Sequence, residues 1–366
     1  MESAMERMTA AQLEQATTNK WMRLTLLPIE DCNLDCQYCY EEHRQFRERL
    51  FTPMSAKTIS GINNWIKGQY ENNGLQKINL SWFGGEPLMA PDVIDEISQW
   101  CMHLGINTVG DMTTNGTALN LKMLKRMVTE NNVEHFKISL DGAKEDHDST
   151  RVVKLSKKQL LIKNPQRKGT FDKIWRNLLE AKRSKLKFQI TLRIHVHRGN
   201  IGERMTNFIE EIRDTFTQND NRFKCEFEEV HDMGGLDNKM KSLIMRKEDT
   251  PAHHITKLKE IVGDDALIQH QRKLAPAYWC YAAKLNNWLV RATGAIGKCT
   301  VQLDATFAQI NQNGTVNITN PELLNMWYEG FADGRINNFN LWALSCPASY
   351  MIKKYGKKEM NKMGFK

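Results

Sequence analysis

Asp31-Cys32-Asn33-Leu34-Asp35-Cys36-Gln37-Tyr38-Cys39-Tyr40 follows directly on the apolar run Leu24–Pro28. The spacing is C-x3-C-x2-C on one short loop. Three thiolates so placed can hold three irons of a [4Fe–4S] cluster and leave the fourth iron open to a small molecule and an electron. Zinc sites also use closely spaced cysteines, usually as CxxC pairs with four ligands. Buried free cysteines are common as well. The rest of the chain decides among these readings.

Working outward, apolar and β-rich runs recur at Met22–Pro28, Lys77–Phe83, Ile106–Thr113, His135–Leu140, Phe188–Val196 and Phe223–Val230. Helical patterns fall between them, at Ser55–Tyr70, Pro91–Leu104, Leu119–Thr129, Phe171–Lys185 and Ile201–Phe216. Pro53 and Pro91 stand where helix starts are expected. Alternating β and α units imply an α/β fold with a parallel sheet and right-handed crossovers. Six such strands fit an open, partial (β/α)6 barrel, whose site forms at the C-terminal strand ends.

The chain has 366 residues and 41% hydrophobic content, enough for more than one domain. We divide it into an N-terminal extension (1–20), the barrel (21–235), a helical linker (236–275) and a small β-rich C-terminal domain (276–366). Trp288–Ala292 and Cys299–Leu303 read as a hairpin around a glycine turn, and Asn313-Gly314 as a second turn. No stretch approaches the roughly 20 apolar residues of a membrane span. The N-terminus lacks the apolar core of a secretory signal. With eight cysteines in such a chain, a reducing cytoplasm is expected, where thiols serve metals or chemistry. The net charge is +8, part of it in Lys154, Lys157, Lys158, Lys163, Arg167 and Lys168. That run reads as a solvated loop or as a docking strip for an acidic partner. No motif supports nucleic-acid binding.

Three further motifs end strands two to four: Trp82-Phe83-Gly84-Gly85-Glu86-Pro87, Thr113-Thr114-Asn115-Gly116-Thr117, and Ile138-Ser139-Leu140-Asp141-Gly142 followed by His147-Asp148 and Arg151. The glycines let backbone approach a ligand, Glu86 offers an anion to an ammonium group, and the short polar residues suit a ribose or carboxylate. Loop capping is the plainer reading of each. In their order and intervals, these motifs and the cysteine loop make Met22–Val230 resemble the SPASM/Twitch branch of the radical S-adenosylmethionine (SAM) enzymes. The resemblance implies a [4Fe–4S] cluster on Cys32, Cys36 and Cys39. It places Tyr38, Gly84, Gly85, Glu86, Asn115, Ser139, Arg151 and Arg193 around SAM, with Glu86 at the methionine ammonium. Arg151 and Arg193 are candidates for the SAM carboxylate, or for pairing with an acid such as Asp148. It further implies reductive cleavage of SAM and hydrogen abstraction from a substrate C–H bond.

Cys280, Cys299 and Cys346 resemble the ligands of one auxiliary iron–sulfur cluster of Twitch or shortened SPASM type. Ser349 stands where that pattern has a fourth cysteine. Ser349 or Cys225 could complete the set, the iron could be open to substrate, or the three cysteines could simply be buried. Cys101 reads as core. Candidate bases are Glu229 and Asp232, with His231, Tyr40 and Tyr278 as further options, and His253-His254 reads as surface. The resemblance implies a ribosomal precursor peptide as substrate, crosslinked at its side chains, with flavodoxin or ferredoxin as electron donor. No separate leader-binding domain is evident; a leader would be read by a separate protein or by the barrel surface, the basic strip included. Alternatives are a peptide epimerase, in which Cys225 could donate hydrogen, a small-molecule dehydrogenase, and a non-catalytic metal-binding adaptor. Formylglycine formation in a sulfatase is disfavoured by the cysteine count.

Overall fold

Alternating apolar residues build six strands: β1 (Trp21–Leu26), β2 (Lys77–Trp82), β3 (Asn107–Thr114), β4 (Val133–Leu140), β5 (Gln189–Val196) and β6 (Phe223–Glu229). The computed structural model describes residues 14, 16–41, 51–156, 158–163, 165–231, 240–268, 279–331 and 341–365. Each strand pairs in parallel with the next, from Leu24↔Leu80 to Leu192↔Cys225. The connections carry α1 (Ala56–Asn73), α2 (Pro91–His103), α3 (Leu121–Asn131), α4 (Lys144–Thr150), α5 (Phe171–Arg183) and α6 (Glu203–Ile212). Ser55 caps α1 by accepting from the Thr58 amide, and Asn120 caps α3 by accepting from Met123. Pro91 opens α2.

Because the strand order is sequential and parallel crossovers are right-handed, these helices share one face of the sheet. The period of two then sorts each strand. On β5, Ile190, Leu192, Ile194 and Val196 are fully buried, while Thr191, Arg193 and His195 turn to the opposite face. That second face lines a cavity, so the fold is a partial (β/α)6 barrel with a polar interior. β6 does not pair with β1, and the barrel stays open.

The free edge of β1 instead takes β7 (Asn287–Val290) in parallel, with Leu24 opposite Trp288. β8 (Ala295–Gly297), β9 (Ala308–Ile310) and β10 (Val316–Ile318) follow antiparallel, so one sheet of ten strands runs through both parts. The hairpin differs from the sequence expectation. Its second strand is Ala295–Gly297, and Cys299–Leu303 is irregular. Gly294, at φ 83°, closes a tight turn in which Arg291 and Ala295 bond, so pairing begins at once. The Asn313-Gly314 turn joins β9 to β10 as expected.

Between the two parts, residues 240–268 hold α7 (Pro251–Val262) and short 3-10 turns. α8 (Pro321–Trp327), α9 (Leu341–Ser345), α10 (Pro347–Tyr355) and α11 (Lys357–Lys362) complete the C-terminal region. Arg291 clamps it to the barrel. Its guanidinium bonds both carboxylate oxygens of Glu30, at 2.8 and 3.1 Å, with both side chains buried. Among the described residues, no helix is long and apolar enough to cross a membrane.

Candidate active site

The cysteine loop leaves β1 and folds over the C-terminal strand ends. Two glycines of the β2 turn make room for it. A Cβ on Gly84 would meet the Ile29 carbonyl at 2.6 Å, and one on Gly85 would drive into the Asp31 carbonyl. Asp31 also accepts from the Glu86 amide at 3.0 Å. The close approach that these glycines allow is therefore to the cysteine loop itself. On its far side the loop is stapled by Asp35 to Val152 (2.9 Å), Gln37 to Thr150 (3.3 Å) and a Leu34–Val153 bridge.

These contacts gather the three thiols. Burial pushes the Cys32 thiol well above its ordinary range, and the nearby Glu86, Cys36 and Cys39 push the same way. Cys32, Cys36 and Cys39 border a cavity of about 770 Å3, together with Tyr38, Gly84, Gly85, Asn115, Ser139, Arg151, Arg193 and Glu229. Three convergent thiols at the mouth of such a cavity fit a cluster with one open side. Among the described residues, no three His, Cys, Asp or Glu side chains are gathered around a single-ion position.

Glu86 is tied into the wall behind the cysteine loop. Its carboxylate is fully buried and accepts from Thr114 Oγ1 (2.7 Å), the Asn115 amide (2.7 Å) and the Leu88 amide (3.1 Å). Burial raises its pKa, against the lowering effect of these donors. Glu86 thus ties the β2 turn to the end of β3 and sets Asn115, whose amide reaches Cys32 Sγ at 3.7 Å.

The arginines are paired. Arg151 donates to the Tyr38 hydroxyl at 2.7 Å and lies 3.8 Å from Asp141. Asp148 instead accepts the Thr170 and Phe171 amides at the start of α5. Asp141 is a hub that sequence reasoning passed over. It accepts from Tyr38 at 2.7 Å and Thr150 at 2.6 Å, and sits 3.1 Å from His195 Nδ1. Although burial opposes ionisation, Arg151 and His195 hold its carboxyl far below the usual range. Burial pushes the His195 and His147 imidazoles down, His147 to about 4.

Deeper in the cavity, Glu226 takes Lys137 at 2.7 Å and Arg193 at 3.0 Å, while Asp111 takes Arg23 at 3.0 Å and Ser81 at 2.6 Å. A usable signal for these residues was the polar alternation along β4 and β5: Lys137 and Ser139, then Thr191, Arg193 and His195. A strand with helices on one face needs polar residues in phase only where its other face is wet.

The second set of cysteines also converges. Cys280 is pushed up to about 12 by burial and then by Cys299 and Cys346. Cys346 Sγ lies 3.1 Å from Ser349 Oγ. Tyr281 and Thr300, beside these cysteines, bond at 2.8 Å and line the cavity with Val301. The structure does not bring Cys225 to either set. Cys225 occupies the helix-facing side of β6, fully buried in the apolar core, and burial alone pushes its thiol up to about 12. It is placed neither as ligand nor as hydrogen donor. Cys101 is core as well. Tyr40 and His231 line the cavity, and His253-His254 lies on α7 away from it. Asp232, Tyr278 and Lys157 lie outside the described residues.

Residues 26–212 match the family model described as the radical SAM superfamily. Over 126 residues the chain is 33% identical to molybdenum cofactor biosynthesis protein 1 of Homo sapiens, covering 34% of this chain and 18% of that protein. Over 135 residues it is 31% identical to GTP 3′,8-cyclase of Erythrobacter litoralis, covering 37% and 38%. The matched stretch therefore spans less than two fifths of either relative's length. Among solved structures, native anSMEcpe with bound AdoMet and Kp18Cys peptide superposes with TM-score 0.58 at 17% identity, over 89% of this chain and 88% of that one. Streptococcus suis SuiB bound to precursor peptide SuiA gives TM-score 0.50 at 16% identity, over 97% and 77%. At such identities the likeness is one of fold.

Proposed function

Since the chain belongs to the radical SAM superfamily, which implies a [4Fe–4S] cluster and SAM, we propose that it crosslinks side chains of a ribosomal precursor peptide. Cys32, Cys36 and Cys39 would hold the cluster. When bound, it supplies the electron that splits SAM into methionine and a 5′-deoxyadenosyl radical. Gly84, Gly85, Asn115 and Ser139 border the same cavity and would position SAM. Tyr38, Arg151, Asp141 and His195 brace the cysteine loop against β4 and β5. Glu229, one of the carboxylates that line the cavity, would take up the proton a crosslinking oxidation releases.

The observation that carries this reading is the second thiol set, whose neighbours Tyr281 and Thr300 line the same cavity. Crosslinking removes two hydrogens, one as an atom and one as a proton, and leaves one electron over. Cys280, Cys299 and Cys346, with Ser349 beside them, would hold the group that accepts it. The likeness in fold to peptide-bound structures supports a peptide substrate.

The cyclase relative favours a second reading, conversion of a nucleoside triphosphate. Against it, Arg23, Lys137, Arg151 and Arg193 are each tied to a carboxylate, which leaves these four little charge for a triphosphate. The test is anaerobic reconstitution, iron counting, and incubation with SAM and dithionite. Expected are 5′-deoxyadenosine and, in a co-expressed precursor peptide, loss of two hydrogens without chain cleavage. An unchanged peptide together with consumption of GTP would move the assignment to the cyclase reading. Absence of deoxyadenosine would end both.

A further inference from the structure

We infer that the outer face of the strap formed by residues 152–170 docks an acidic one-electron carrier protein, which delivers its electron through the cysteine loop. This deepens the function proposed above and rests on it. The strap joins α4 to α5, and both legs are pinned to the back of the cysteine loop or to α4. Lys154 donates to the Asn33 carbonyl at 2.9 Å, and Val153 to the Lys168 carbonyl at 2.9 Å. The return leg ends where Asp148 takes the Thr170 and Phe171 amides at 2.7 and 2.9 Å. Of its described middle, residues 158 and 160–163 are exposed and Gln159 is half-buried.

Charge is arranged on it in two layers. Lys154 and Arg167 neutralise Asp31 and Asp35, the two acids of the cysteine loop. Lys158, Lys163 and Lys168 are exposed, and none of them has an ion-pair partner among the described residues. The strap therefore presents surplus positive charge directly outside the thiols. Between these lysines stand Leu160, Leu161 and Ile162, with 64%, 88% and 58% of their surface exposed. Three consecutive apolar residues in water carry a cost unless something covers them. An apolar centre with a cationic rim is the anatomy of a small transient interface, with the rim setting the encounter rate.

Position selects the kind of partner. No described residue of the strap lines the cavity. A protein seated there meets the outer side of Cys32–Cys39, whereas a substrate must present its reacting bond on the inner side. An electron carrier needs only proximity to the cluster. In the step itself the carrier is oxidised by one electron and the cluster reduced by one; no bond forms or breaks.

The test compares wild type, the triple variant Lys158→Glu/Lys163→Glu/Lys168→Glu, and Leu161→Ser, all on the full reconstituted chain. Acidic flavodoxin, reduced to its hydroquinone, is one donor and dithionite the other. In the triple variant, cluster reduction by flavodoxin should slow about tenfold or more and lose its salt dependence. Deoxyadenosine formation driven by dithionite should be unchanged, which also shows the variant folded. Binding of oxidised flavodoxin to the cluster-free protein, followed by calorimetry, should weaken in parallel, and in Leu161→Ser without the change in salt dependence. Unaltered flavodoxin rate and affinity in the triple variant would overturn the inference. So would a loss of precursor-peptide affinity with flavodoxin reduction intact, which would make the strap a peptide-reading surface. Failure of the wild type to make deoxyadenosine with dithionite would strike the proposed function instead, while the calorimetric comparison would still decide whether flavodoxin docks on the strap.

Discussion

The two cysteine sets converge by opposite routes. Cys32, Cys36 and Cys39 sit on one loop, so their convergence costs little chain entropy, and backbone bonds to Glu86, Val152 and Thr150 then staple that loop to the fold. Cys280, Cys299 and Cys346 come from three distant segments, and their region is held against the barrel by tertiary contacts such as β7 pairing with β1, Trp65 on Trp288 and the Arg291–Glu30 clamp. A site built within one loop depends on that loop; a site built across segments depends on the whole fold.

Single thiol deletions should separate the two most widely. Cys36→Ala should lose about four irons and all deoxyadenosine, whereas Cys299→Ala should lose a similar number yet still cleave SAM with dithionite. The crosslinked peptide should vanish in both. Full iron content and product in Cys299→Ala would erase the distinction drawn here.

The buried ion pairs come next. Arg291→Met strips Glu30 of its guanidinium, and Asp141→Asn strips Arg151 of its carboxylate; each should cost roughly 3–5 kcal/mol in denaturant unfolding. The comparison sharpens if Arg291→Met releases iron from the second set first, and Asp141→Asn from the first set. Equal iron loss from both sets in both variants would show a single cooperative unit.

A pH effect of intermediate size should follow from His147. Its Nδ1 accepts the Asp141 amide at 3.3 Å while Nε2 bonds Thr170 at 3.0 Å, an arrangement for the neutral ring. With the folded pKa near 4 and an unfolded value of about 6.5, the unfolded chain binds more protons between these limits. Stability should therefore be present above about pH 6.5 and fall by about 2 kcal/mol from pH 7 to pH 5. Asp141, with its depressed pKa, keeps its contribution through this window and loses it only below about pH 4. Urea midpoints of cluster-free protein at the two pH values, with His147→Gln as a flatter control, check the sign.

The smallest change should come from Ser349→Cys, at an exposed position beside Cys346. Folding stability should move by less than about 0.5 kcal/mol. Iron of the second set should leave more slowly in air, because a fourth thiolate replaces a hydroxyl. Faster loss would mean that the serine is itself the better fit.

Local information was legible from sequence because its physics is local. The six parallel strands follow from apolar, β-rich runs, the start of α2 from Pro91, and the first thiol set from its spacing in one loop. Whatever depends on which face of a strand is wet had to wait for the fold. Cys225 and Glu226 are neighbours on β6, yet one is locked in the helix-side core and the other joins Lys137 and Arg193 in the cavity. Glu86 keeps its place in the motif, but the β3 amide and hydroxyl donors capture its carboxylate. The sheet's continuation through β7, the gathering of Cys280, Cys299 and Cys346, and the Asp141 hub all join residues far apart in the chain. No periodicity encodes such contacts; packing and hydrogen bonding in three dimensions select them.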